Sequence, residues 1–249
     1  MKKRLILIFV MCLFILPLPA ESYTITDTGT SAYWGGTVRN ASSTAYGDVI
    51  GSPYFNVNQM DVTKTGKDWT VELTGGYFAY SQTSVDGGLP RSLGPGNLYI
   101  NSTGWIASGT GNYATDTFTS AEGWNYVVTQ GPTGAWGLYT LDYSTITYTN
   151  IGALNPNYYI FRDNQAWRGG AGYYIGAATY TLSGDTLTFI FNTGNFDWSG
   201  DVGFHWTMQC GNDVVEGKVN VPRVPEPASL LLLGMGLVGL GVSARIFKK

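Results

Sequence analysis

Two stretches of this chain alternate residue by residue between apolar and polar, and that period limits what can form around them. In "DWTVELTG", Trp69, Val71 and Leu73 fall on one face, and Thr70, Glu72 and Thr74 on the other. A period of two is that of a half-buried β-strand. In "TYTLSGDTLTFIF", Tyr180 and Leu182 lead into Ser183-Gly184-Asp185, and Leu187, Phe189 and Phe191 lead out. Glycine in such a turn supplies the positive φ that a tight hairpin needs. The segments "WGLYTLDYSTITYTNIG", "NLYINSTGWIA", "GWNYVVTQG" and "GDVGFHWTMQ" read as further strands, rich in the Thr, Tyr, Val and Trp that suit a pleated surface. No segment between the chain ends reads as a convincing helix, and no repeat of fixed period is present. The expectation is an all-β, antiparallel β-sandwich or jelly-roll-like ectodomain over residues 23–220. The Gly-rich "SVDGGLPRSLGPGN" is read as a long surface loop rather than a domain boundary.

The two ends differ from this middle. The first 22 residues, "MKKRLILIFVMCLFILPLPAES", place Lys2, Lys3 and Arg4 before an uncharged apolar run from Leu5 to Leu16. Pro17 and Pro19 break the run, and small residues follow at Ala20 and Ser22. This is the layout of a secretory signal peptide, with cleavage candidates at Ala20 and Ser22. Ala20-Glu21-Ser22 has the small-x-small form, which favours Ser22. Cys12 lies inside the apolar run after Met11, which does not suit lipidation. At the other end, residues 221–227 form a linker containing Pro225, Glu226 and Pro227, and residues 228–249 form an apolar helix with a basic tail. Ala228 to Ala244 carries no charge and spans about 25 Å as a helix, against a hydrocarbon core of about 30 Å. Arg245, Lys248 and Lys249 would stop transfer and stay in the cytoplasm.

A plain anchor does not account for the prolines. Pro225 and Pro227 fix φ and remove two backbone donors, holding the peptide extended as a protease or transpeptidase cleft requires. The stretch "VPEPASLLLLGMGLVGLGVSARIFKK" resembles the PEP-CTERM sorting signal of bacterial exosortase substrates. The resemblance implies a Gram-negative envelope and an inner-membrane-anchored precursor delivered by the secretion machinery and signal peptidase. It further implies processing by exosortase near Pro225-Glu226-Pro227, then a place at the cell surface or outside the cell, often beside exopolysaccharide and biofilm. "YGDVIG", "FNVNQMDV", "LYINSTGW" and "FHWTMQCGNDVVEG" are similar to segments of exosortase-dependent surface proteins, although "SLGPGNLYI" departs from that pattern.

Charge excludes one class of partner. Residues 23–223 hold 8 Lys+Arg and 15 Asp+Glu, a formal charge of −7, with no basic stripe to track a phosphate backbone. Nucleic acid is therefore not expected as a ligand. Cys210 is the one cysteine left after signal removal, so no intrachain disulfide is expected.

Catalytic chemistry finds few residues. His205 is the single histidine, and on a strand it alternates with Phe204 and Trp206. Cys210, five residues on, would point to the opposite face, and a zinc site completed by Asp213 is short of ligands. Asp197 and Asp201 are the best carboxylate pair for a hydrolase, and the same segment offers oxygen ligands to calcium without the spacing of an EF-hand. No catalytic, cofactor or metal residue is assigned. The triplets at Asn40 and Asn101 match an N-glycosylation acceptor, which carries little weight in a bacterium.

Aromatics give the remaining lead. Eight Trp and seventeen Tyr are many, and Trp34, Trp105, Trp124, Trp136 and Trp167 lie near Gly-rich segments that could display them. Rings on a β surface can stack on sugars. The expectation is a non-enzymatic surface or matrix protein associated with exopolysaccharide or adhesion. The alternatives are a carbohydrate-binding module and a secreted carboxylate hydrolase.

Overall fold

A computed structural model describes residues 20–27, 38–39, 45–46, 49–50, 55–83, 96–105, 120–148, 161–162, 167–208, 211, 213–222 and 234–236. Ala20–Val221 forms one compact unit, and "SVDGGLPRSLGPGN", apart from Gly96 and Asn97, lies outside the described residues. In chain order the strands are β1 (Glu21–Thr26), β2 (Val38–Arg39), β3 (Ala45–Tyr46), β4 (Val49–Ile50), β5 (Val57–Thr65), β6 (Asp68–Gly75) and β7 (Leu98–Asn101). They continue as β8 (Tyr126–Gln130), β9 (Trp136–Tyr148), β10 (Phe161–Arg162), β11 (Trp167–Ser183), β12 (Thr186–Asn192), β13 (Gly200–Thr207) and β14 (Val214–Val221). Ten of them make one antiparallel sheet in the order β1-β5-β6-β12-β11-β9-β8-β7-β13-β14, and β2–β10 and β3–β4 form two short ladders.

The all-β expectation holds. Among the described residues ten strands form one hydrogen-bonded sheet, a nearly closed barrel or sandwich. One continuous ladder curls until its end strands approach, with Ile25 of β1 packed against Gly217 of β14. Near-closure hides most of the unpaired edge that a flat ten-stranded sheet would expose.

The alternating segments behave as their period requires. Trp69, Val71 and Leu73 of β6 are buried, as are Leu187, Phe189 and Phe191 of β12. Both hairpins close with two-residue turns: Thr65 pairs with Asp68, and Ser183 with Thr186. Gly184 takes φ 60° in the second, the left-handed conformation that a side chain resists. Trp69 lies at the centre of the main core. Its ring sits 5.6 Å from Trp198, 5.9 Å from Phe204 and 6.4 Å from Phe191. Such pairs add about 0.5–1.5 kcal/mol each beyond area burial.

Strand β13 departs from alternation, because everything from Val202 onward is buried. Phe204 and Trp206 enter the main core. The other face is covered by a second cluster, Tyr99, Trp105, Trp124, Val127 and Tyr139, seated beneath a short 3-10 turn at Ser120–Glu122. One helix, α1 (Gly76–Thr83), corrects the helix-free expectation. It directly follows β6 and caps the core with Tyr77 and Phe78, which pack on Trp206.

The ends of the unit fix where the chain enters and leaves. Glu21 pairs with Lys64, beside the β5–β6 turn, and Val221 pairs with Gly200 at the start of β13. Thr193, where the segment leading to Gly200 begins, donates its backbone N–H to Lys67 in that turn. Entry and exit therefore share one end of the strands. Among the described residues no helix is long and apolar enough to cross a membrane. Apart from Gly234–Gly236, which is helical, the apolar run expected over 228–249 lies outside the described residues, as do residues 1–19 of the expected signal peptide.

Candidate functional site

The residues singled out for catalysis are engaged elsewhere. His205 and Glu216 are cross-strand partners on β13 and β14, with Nδ1 2.6 Å from Oε2 and both side chains sealed from solvent. The rings of Tyr99 and Trp124 lie 6.1 and 5.7 Å from the imidazole. Trp124 Nε1 donates to Glu122 Oε2 at 3.0 Å. Burial pushes the Tyr99 phenol well above its ordinary range. Cys210 lies outside the described residues. Asp213 is buried, and its carboxylate accepts the backbone N–H groups of Val57 at 2.6 Å and Val214 at 2.9 Å, tying β5 to β14. Among the described residues no group of three His, Cys, Asp or Glu is placed to hold a metal ion.

The proposed carboxylate pair is split by its partners. Asp201 accepts Lys218 Nζ at 2.6 Å and Asn220 Nδ2 at 2.7 Å. The Lys218 hydrogen bond, then that of Asn220, holds its carboxyl below the usual 3.8. Asp197 is exposed, with Lys64 Nζ 3.9 Å away. Asn101 is buried and donates to the carbonyl oxygens of Glu122 and Gly104, so its triplet is a structural turn.

Nor are the tryptophans displayed among the described residues. Trp105 and Trp124 are buried, and Trp136 is half-buried, stacked on Tyr180 at 4.4 Å and 8°. Trp34 and the side chain of Trp167 lie outside the described residues. Among the described residues the exposed rings are Phe196 and three tyrosines. Tyr173 is 86% exposed, Tyr174 61% and Tyr143 37%. Tyr143 of β9 lies beyond the pairing with β8, and Tyr173 and Tyr174 of β11 lie before the pairing with β12 begins at Ala178.

There the β9–β11 register slips between Gly169 and Ala171, and again before Tyr174. The irregularity opens a cleft of about 660 Å³ lined by Thr140, Asp142, Tyr143, Ser144, Gly172 and Tyr173, among others. Thr140 Oγ1 accepts the backbone N–H of Tyr173 at 2.8 Å. A side chain at Gly172 would place Cβ 2.7 Å from that same oxygen, so glycine is what lets the strands close here. Asp142 Oδ1 accepts from Ser144 N at 2.9 Å and Ser144 Oγ at 2.7 Å, which holds its carboxyl below the ordinary value. Tyr143 donates its hydroxyl to Trp124 O at 2.7 Å, joining the cleft wall to the second core. Burial, and then the nearby Glu122 charge, push its phenol up to about 12. A sequence signal for this site existed in "GGAGYYIGAA": bulky rings set among residues too small to bury them.

The comparisons with known proteins bear on the other end of the chain. The family model of the PEP-CTERM protein-sorting motif matches residues 223–246. The chain thus carries the C-terminal signal of exosortase substrates, which implies export as a membrane-anchored precursor and exosortase-dependent processing. No curated protein and no solved structure matches the chain. Pro225, Glu226, Pro227, Arg245, Lys248 and Lys249 lie within or just beyond the matched stretch and outside the described residues. Three residues separate Pro225 from Val221, the last residue of β14. At no more than about 3.6 Å per residue, the folded unit ends within about 15 Å of the motif.

Proposed function

We propose that this is an exported protein whose β unit, Ala20–Val221, is set free of its C-terminal segment by exosortase and then works non-enzymatically at the cell surface or in the surrounding matrix, in association with extracellular polysaccharide. The observation that carries this reading is the sorting motif at residues 223–246, following β14 almost without a linker. Cutting near Pro225-Glu226-Pro227 would leave every strand of the unit intact. The engagement of His205 by Glu216 and of Asp201 by Lys218 and Asn220 supports a non-enzymatic role, because each group already serves the fold. Intact-mass measurement of the protein from envelope and medium tests the reading. It expects loss of the segment beyond about Pro227, blocked by Glu226→Ala.

A second reading, a carbohydrate-binding module with one defined site, is favoured by the exposed tyrosines at the β9–β11 cleft.

A further inference from the structure

We propose that the cleft between Thr140–Ser144 of β9 and Ala171–Tyr173 of β11 binds a neutral polysaccharide, with Tyr173 as the stacking platform and Asp142 as the acceptor for sugar hydroxyls. The proposal rests on the reading of the protein as a polymer-associated surface component, and it names the ligand class and the residues that would hold it.

Tyr173 is 86% exposed on a rigid strand, and among the described residues no other ring packs on it. An exposed aromatic of this kind offers a flat apolar face at little entropic cost, since only two torsions must be fixed. Its neighbour Tyr174 is placed differently, against Tyr139 with centroids 5.5 Å apart. The backbone N–H of Tyr173 is held by Thr140 Oγ1, so the main chain that carries the ring is fixed before any ligand arrives.

Asp142 spends Oδ1 on Ser144, and a carboxylate has acceptor sites on both oxygens. It is ionised at neutral pH, its carboxyl being held low by Ser144. The Thr140 hydroxyl accepts from Tyr173 and keeps its own hydrogen to donate. A sugar presents what this pattern lacks: C–H faces for the ring, and hydroxyls that both donate and accept around the rim.

Among the described residues the lining contains a carboxylate and no Lys or Arg. A polymer of uronate, sulfate or phosphate groups would meet repulsion there without a compensating cation, so the ligand is uncharged. The cleft is open to solvent and, at about 660 Å³, within the range of ligand sites, so a chain could lie across it rather than end in it.

The test uses the matured protein, purified from medium or envelope, in affinity electrophoresis through gels containing dextran, mixed-linkage β-glucan or galactomannan, with alginate as the anionic control. Retardation is expected in at least one neutral gel and not in alginate. Tyr173→Ala should weaken it about tenfold or more, whereas Tyr173→Trp should keep it within about threefold. Asp142→Asn should weaken it by a smaller factor. The exposure of Tyr173 predicts an unchanged melting temperature for the alanine variant, so loss of binding cannot be laid to unfolding. Retardation that survives Tyr173→Ala would overturn the site while leaving the polymer-associated reading in place. Retardation in alginate alone would overturn the ligand class. No retardation in any neutral gel would overturn the cleft as a polysaccharide site and remove the support for polymer association, leaving the export reading to the mass measurement.

Discussion

His205 and Glu216 face each other across β13 and β14, Nδ1 2.6 Å from Oε2, with neither side chain open to water. The pair occupies the second face of β13, against Trp124 and Tyr99, and joins the two strands that end the sheet. Removing one member takes away the 2.6 Å contact that the other, still buried, makes across the strands. His205→Ala or Glu216→Ala is therefore expected to cost about 3–5 kcal/mol in urea unfolding. Replacing both with leucine should recover much of that loss, because two buried polar groups leave together. Wild-type stability in His205→Ala would contradict a structural role.

The near-closure of the sheet has its own test at Gly217. A Cβ there would stand 2.6 Å from Ile25 Cγ2, which pins β1 against β14. Gly217→Ala should destabilise by about 1–3 kcal/mol through overpacking. Shortening the opposing side chain with Ile25→Val should return part of it, giving a non-additive double-mutant cycle. Additive effects would mean that the two strands do not meet as described.

Asp201 supplies a prediction on the acid side. Hydrogen bonds from Lys218 and Asn220 hold its carboxyl below 3.8, so the folded state favours the ionised form. Its contribution to stability is present above 3.8 and is lost as pH falls through the lowered folded value. An NMR titration should find the depressed value in the wild type and a return toward 3.8 in Lys218→Ala. An identical titration in both proteins would remove Lys218 as the cause.

If the proposed signal peptide is removed, strand β1 favours the cleavage candidate Ala20 over the Ser22 that the small-x-small form favours. Cleavage after Ser22 would remove Glu21 and Ser22, which pair with Lys64 and Thr63, and would delete the Glu21 acceptor of the Tyr23 hydroxyl, 2.9 Å away. Cleavage after Ala20 keeps the strand whole. The expected mature N-terminus is Glu21, readable by N-terminal sequencing, and a start at Tyr23 would contradict it.

What the sequence disclosed follows from how local each feature is. The faces of β6 and β12 and the Gly184 turn are set by neighbours two residues apart, and alternation displays them. Strand β13 is buried on both sides because Trp105 and Trp124 fold over it from a distance, so its run of buried residues carries no period of two. The helix Gly76–Thr83 has no apolar stripe in "GYFAYSQT" and forms where the core needs a cap. The tyrosine cleft was overlooked for a related reason. Tryptophan near glycine is a composition cue, whereas exposure of Tyr173 depends on a register slip between strands that are separate in sequence. The sorting motif is the opposite case, a contiguous string read without any fold.

The account turns on whether the β unit is released from its C-terminal segment. The direct measurement is the intact mass of the protein recovered from envelope and medium of a strain that carries an exosortase. The prediction is a chain that ends near Pro227 in the wild type and retains the residues through Lys249 in Glu226→Ala. A wild-type chain that still ends at Lys249 would contradict it.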